Sequence, residues 1–222
     1  MPAGTITAIT AQLHDSQRVN IFIDGAFALG ISLATLAREG LWVGLTLDDA
    51  AWQRLAASAQ VEQALLSAMR LLDARPRSRA EVRLRLRQKE HPPQVIDQVL
   101  ERLQDLGLLD DAAFSRYWVE NRQRFRPRGV RALVAELRNK GVDRDTIAAA
   151  LAEAGADAEG ERQAAEQVAR SVLARYCASP DRATFQRRLG GLLQRRGFAL
   201  AVIRPLLETL WYECSASQGD ET

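Results

Sequence analysis

The sequence predicts a mainly α-helical chain: three tandem three-helix repeats in an elongated array, preceded by a small β-hairpin-containing module. Three observations predict it. Amphipathic helical periodicity runs from Asp48 to about Tyr212, with glycines at the expected helix ends. A spaced pattern occurs three times: Val82, Leu86, Lys89, Ile96 and Leu100 are followed at an offset of 51 by Leu133, Leu137, Lys140, Ile147 and Leu151. At a further offset of 56 come Leu189, Leu193, Arg196, Ile203 and Leu207. Before Asp48 the pattern is instead β-rich, with Asp24-Gly25 as a two-residue hairpin signal.

The elements follow in order. Thr5–Leu13, Val19–Ile23 and Phe27–Ile31 read as strands, and Leu41–Leu47 as a possible fourth. Between them Ser32 caps a short helix that ends at Gly40. Asp48 or Asp49 caps a short helix through Trp52, and a second helix spans Val61–Leu72 with Val61, Leu65, Ala68, Met69 and Leu72 on one face. Pro76 ends it. Ser78-Arg79-Ala80-Glu81 is a capping box for a helix to about Lys89. Pro92-Pro93 open the next, with Val95, Ile96, Val99, Leu100, Leu103 and Leu106 inward until Gly107.

Asp110-Asp111 begin a helix with Phe114, Tyr117 and Trp118 inward, although Tyr117 suits a surface position equally well. Pro127 and Gly129 separate it from Val130–Lys140; Asp143 caps the helix that Gly155 ends. A long helix is expected over Glu159–Tyr176. Pro180 precedes one over Arg182–Arg196, and a last helix reaches about Tyr212, with Pro205 set to kink it or delay its start. The resulting division is 1–58 for the β-rich module, 59–107, 108–156 and 157–214 for the repeats, and 215–222 for a polar tail. A three-helix unit of about 45 residues buries little alone, so neighbouring units should stack.

Charge is distributed unevenly. Thirty basic residues, of which only Lys89 and Lys140 are lysine, nearly cancel twenty-eight acidic ones, leaving a net charge of +2. Positive charge gathers in 70–89, 122–140 and 182–196. Clustered arginine suits phosphate or carboxylate partners, because the guanidinium fork donates two parallel hydrogen bonds. A solvated helix face in an arginine-rich proteome explains any single arginine as well. The repeated cation before each turn (Lys89, Lys140, Arg196) also gains about 0.3–1 kcal/mol from the helix dipole without any function.

Catalytic chemistry is not visible in the sequence. Gly190-Gly191 lies in a helical stretch rather than a phosphate-binding loop, and His14 and His91 lack a second ligand at metal spacing. Asp110-Asp111 reads as a helix cap rather than a metal pair. Cys177 reads as a small, partly buried hydrophobe, and two cysteines make no disulfide framework. No cofactor is expected. No apolar run approaches a membrane span, so a soluble, cytoplasmic chain without membrane contact is expected. Phe125, flanked by Arg124 and Arg126, is the aromatic best placed for an exposed contact.

Leu106-Gly107-Leu108-Leu109-Asp110-Asp111-Ala112-Ala113-Phe114-Ser115 resembles the most characteristic stretch of the RecX family of recombination regulators. Arg122, Arg128-Gly129 and Glu136-Leu137-Arg138-Asn139-Lys140-Gly141-Val142 continue the likeness, and Val19–Ile31 resembles the hairpin extension that some members carry. The chain departs from the pattern at Val130, where many members have proline, and at Glu90, where glycine usually ends the helix. The resemblance implies a curved array that binds the RecA–DNA filament. It also implies inhibition of filament growth, strand exchange, ATP hydrolysis and coprotease activity, without catalysis. The implied partners are RecA and, weakly or through RecA, single- or double-stranded DNA; a monomer is expected.

The contact candidates are Arg77, Arg79, Arg83 and Arg87 in one patch and Arg122, Arg124, Phe125, Arg126, Arg128 and Arg131 in another, with Lys140. Asp110, Asp111, Phe114, Gly129, Leu137 and Gly141 are expected to be structural motif positions. A helix-turn-helix-like DNA-binding protein acting without RecA is the alternative.

Overall fold

Asp24 and Gly25 both take positive φ, at 49° and 82°, which is what a two-residue hairpin turn requires. They join β2 (Asp15–Ile23) to β3 (Ala26–Ser32). β1 (Gly4–Gln12) pairs antiparallel with the other edge of β2, and β4 (Thr46–Leu47) with β1, giving the order β3-β2-β1-β4. The fourth strand is only two residues long. Gly44, at φ 100°, turns the chain there, and its amide donates to the Ile6 carbonyl at 2.8 Å. Ser32 caps α1 (Leu33–Arg38) as expected. Ile6, Ile21, Ile23 and Ile31 line the covered face of the sheet. The structure, a computed structural model, describes residues 4–13, 15–179 and 181–219; His14 and Pro180 lie outside them.

Two helices expected between Asp48 and Leu72 are one. α2 runs unbroken over Asp49–Ala74, with the Asp48 side chain accepting from the Ala51 amide at 2.7 Å. Residues 53–60 contain neither glycine nor proline and are mostly good helix formers, so nothing stops the helix there. Its first half puts Leu55 and Ala59 against the sheet; its second half puts Ala64 and Ala68 into the next core. Met69, expected inward, is exposed, while Ala64 and Ala68 hold the packed face.

The three repeats each bury their own core. The first combines α2 with α3 (Arg79–Gln88) and α4 (Pro93–Asp105). The second is α5 (Asp111–Phe125), α6 (Val130–Asn139) and α7 (Arg144–Glu153). The third is α8 (Ala158–Arg170), α9 (Leu173–Cys177), α10 (Arg182–Arg195) and α11 (Leu200–Gly219). Every apolar position of the spaced pattern is buried, from Val82, Leu86 and Ile96 to Leu193, Ile203 and Leu207. Each such side chain contributes about 1.5–3 kcal/mol by leaving water. Leu106, expected inward, and Tyr117, left open between core and surface, are both exposed: Leu106 is the C-cap of α4, and the packed face of α5 is carried by Phe114, Trp118 and Val119.

The third repeat departs most from expectation. The long helix over Glu159–Tyr176 breaks after Arg170. The Ser171 hydroxyl donates to the Val168 carbonyl at 2.7 Å, satisfying that acceptor locally. α11 begins at Leu200 with Pro205 inside it, and continues into the stretch expected as a polar tail; residues 220–222 lie outside the described part. Cys177 is not a free apolar residue. It is bonded to Cys214 of α11, with Cα atoms 5.3 Å apart across 37 residues of sequence. Neither cysteine has a local signature for this; packing of α11 beside α9 brings them together.

By density of internal contacts the chain divides into two units, Met1–Arg75 with Val82–Leu109, and Pro76–Glu81 with Asp110–Thr222.

Candidate functional site

Within the second unit, one joint is built twice. Ser78 and Glu81 form the expected capping box: the Glu81 amide donates to Ser78 Oγ at 3.1 Å and the Ser78 amide to Glu81 Oε2 at 3.3 Å. The Ser78 hydroxyl in turn donates to the Lys140 carbonyl at 2.5 Å, and Lys140 Nζ returns to Glu81 Oε1 at 2.9 Å. In the second joint Gly129 stands where Ser78 does in the repeat. Its amide donates to the Arg196 carbonyl at 3.0 Å. Gly141 (φ 77°) and Gly197 (φ 88°) follow the two acceptors, and a Cβ on either would overlap Ala80 or Ala132. A carboxylate completes each joint. Asp111 Oδ1 accepts from the Arg79 amide at 2.7 Å; Glu161 Oε1 accepts from the Val130 and Ala199 amides, each at 3.2 Å. Burial pushes the Asp111 carboxyl above its ordinary value, while the Arg79 amide pulls it down.

This joint occupies several residues predicted for contact. Lys140 is only 18% exposed, with Nζ 4.3 Å from the Trp118 ring centre in addition to its ion pair. Glu136 collects the Trp118 indole N–H at 2.8 Å and Arg122 Nε at 2.7 Å, with Arg128 Nε at 3.7 Å. Arg122 also lies over Trp118, at 4.5 Å. The cations of Lys140 and Arg122 are therefore matched internally, and Arg128 partly so. Asp110 caps α5, accepting from the Ala112 and Ala113 amides, and Phe114 and Leu137 are buried.

The remaining candidates differ in exposure and pairing. On α3, Arg83 makes a surface pair with Asp97 at 2.7 Å, and Arg87 is exposed without an ion pair among the described residues. Arg77 and Arg79 are half-buried at the start of that helix, where the backbone amide of Arg79 makes its link to Asp111. Arg124, Arg126 and Arg131 are exposed and make no ion pair among the described residues. Phe125 is 65% exposed, with the Arg124 guanidinium 5.1 Å from its ring centre.

Arg124, Phe125, Arg126 and Arg128 line a cavity of about 530 Å³, closed on the other side by Gln167, Ser171 and Arg196. Arg196 and the α8 residues were not among the sequence candidates. In the sequence Arg196 stands out only as a repeat position at the end of the 182–196 basic cluster, and its place on this cavity depends on how distant helices pack. Among the described residues, no cluster of histidine, cysteine and carboxylate groups could hold a metal, and no helix is long and apolar enough to cross a membrane.

A sheet-bearing module followed by repeats of packed helices, each with its own apolar core, defines a helical-repeat protein. The comparisons narrow the class. Family models match residues 4–48 as the N-terminal domain of regulatory protein RecX, 64–103 as the first RecX three-helix domain and 110–151 as the second. The regulatory protein RecX of Mycobacterium avium (strain 104) is 47% identical over 138 residues, 62% of this chain and 79% of that protein. That of Mycobacterium ulcerans (strain Agy99) is 46% identical over 141 residues, 64% of this chain and 80% of that one. A crystal structure of regulatory protein RecX covers 92% of this chain and 99% of its own, with a TM-score of 0.72 at 23% identity. RecX from Lactobacillus salivarius covers 69% of this chain and 97% of its own, with a TM-score of 0.61 at 21% identity. The chain belongs to the RecX family.

Proposed function

We propose that the chain is a negative regulator of the RecA recombinase that binds the RecA–DNA filament. In this reading it inhibits filament growth, ATP hydrolysis, strand exchange and coprotease activity, and so modulates DNA repair and the SOS response. It acts as a cytoplasmic monomer by occupying surface rather than by catalysing a reaction. Relatives described as regulatory proteins, at 41–47% identity, carry the reading. The availability of arginine supports it. The arginines of α8 are matched, Arg162 by Glu159 and Glu166 and Arg170 by Glu166 and by Glu213 of α11, whereas Arg87, Arg124, Arg126 and Arg131 make no ion pair among the described residues and are left for a partner. With a net charge of only +2, the chain suits a composite protein–DNA surface better than indiscriminate coating of duplex.

The test is charge reversal of Arg79, Arg83 and Arg87 together. They fall at i, i+4 and i+8 of one helix; the joint uses the backbone amide of Arg79, whose charge also favours the Asp111 carboxylate, and the Arg83–Asp97 pair is a surface pair of low worth. The triple variant, shown to be folded by its thermal melt, should inhibit RecA ATPase less. Full inhibition by a folded triple variant would remove this patch from the interface.

A further inference from the structure

The cavity between the end of α5 and the C-termini of α8 and α10 has more positive charge than its fold needs. Three helices end around it, at Arg126, Ser171 and Arg196. Each C-terminus presents roughly −0.5 charge, about −1.5 in all. Four arginines line the same cavity: Arg124, Arg126, Arg128 and Arg196. Among the described residues, Arg128 alone of the four makes an ion pair, with Glu136 at 3.7 Å, and Glu136 is already held by Arg122 at 2.7 Å. Dipole compensation therefore accounts for fewer than half of the cations. The rest await an anion.

The second observation is Phe125. A phenylalanine 65% exposed at a helix end belongs to none of the apolar cores, and Arg124 lies over its ring. An aromatic face beside a cationic pocket is how sequence-tolerant proteins hold unpaired nucleic acid: the base stacks and the backbone phosphate is neutralised. A duplex keeps its base faces hidden, and an acidic peptide has no need of the ring. The cavity volume of about 530 Å³ lies within the range of small-ligand sites, and a nucleotide is a ligand of that class.

We propose that this cavity is a binding site for one phosphate and one unstacked base of a single DNA strand, with Phe125 as the stacking platform and Arg126 and Arg196 as the phosphate clamp. The inference deepens the proposed function and rests on its nucleic-acid component. It requires the chain to hold unpaired DNA directly, without recombinase.

Fluorescence anisotropy of a labelled oligothymidylate, titrated with the full chain alone, tests it. Phe125→Ala should weaken binding by roughly fivefold to a hundredfold, the loss expected for one base–aromatic stack, and Phe125→Trp should restore it. Arg126→Gln with Arg196→Gln should reduce the slope of log affinity against log salt by about 1.4, for two lost phosphate contacts on a single strand. Circular dichroism melting on the same samples identifies any variant that has unfolded; Phe125→Ala, at an exposed position, keeps the test independent of the Arg196 change.

Wild-type affinity in the Phe125 and arginine variants would overturn the proposal. So would displacement of the oligonucleotide by inorganic pyrophosphate with no dependence on Phe125, which would make the cavity a plain phosphate site. Equal binding of polyglutamate would overturn it in favour of an acidic peptide. RecA ATPase measured with the same proteins separates this site from the proposed function. Lost strand binding with intact inhibition leaves the regulatory reading standing, whereas Phe125-dependent strand binding by a chain that does not inhibit RecA leaves only the site.

Discussion

The hydroxyl of Ser78 donates to the carbonyl of Lys140 at 2.5 Å, 62 residues further along the chain. The donor is the N-cap of α3, and the acceptor is the last residue before the turn that follows α6. Ser78 is fully buried, so its hydroxyl has no water to fall back on. Ser78→Ala removes a cap and strands a buried carbonyl at once. The expected loss is about 2–4 kcal/mol, a cap of roughly 1 added to an unsatisfied acceptor of roughly 1–3. Urea denaturation measures it. A loss below about 0.5 kcal/mol would mean that the joint contributes nothing beyond an exposed cap.

Positions 90 and 141 are equivalent in the repeat, yet substitutions there should act with opposite sign. Glu90 sits at φ 62° with a side chain that disfavours it, so Glu90→Gly should stabilise by about 1 kcal/mol. Gly141→Ala places a methyl group at φ 77° where it overlaps Ala80, and should destabilise by about 2 kcal/mol or more. Thermal melts of both variants check the pair.

Reduction should weaken the third repeat selectively. The Cys177–Cys214 bond spans 37 residues, for which loop-closure entropy gives about 4 kcal/mol. Melting with and without a thiol reductant should differ, and Cys177→Ser should melt like the reduced protein and be indifferent to reductant.

Acid should loosen the start of α8. The Glu159 carboxyl is held down to about 2, first by the hydrogen bond from Arg162 and then by that from Gln163. Its folded value lies below the ordinary 4.5, so its contribution is complete above pH 4.5 and is lost progressively as pH falls towards 2. NMR titration should find Glu159 near 2, moving towards 4.5 in Arg162→Ala. A wild-type value near 4.5 would contradict the pairing.

Local chemistry made much of this fold legible in the sequence. Asp110, Asp143 and the Ser78–Glu81 box mark helix starts because each caps through neighbours at most three residues away. The spaced leucines and isoleucines mark the cores because period alone places them inward. Distant partners account for what was not legible. Lys140 read as an available cation, yet its partner Glu81 stands 59 residues earlier. Arg122 has its partner, Glu136, across the α5–α6 turn, 14 residues away. The disulfide and the Arg196 wall of the cavity likewise depend on how α8, α10 and α11 pack. In α2, residues 53–60 hold no helix breaker, so the two helices expected there are one.

The most direct measurement titrates the chain, at substoichiometric ratios, into RecA assembled on single-stranded DNA while ATP hydrolysis is followed. A regulator that occupies the filament lowers the hydrolysis rate progressively as the ratio rises. An unchanged rate at every ratio would contradict the proposed function.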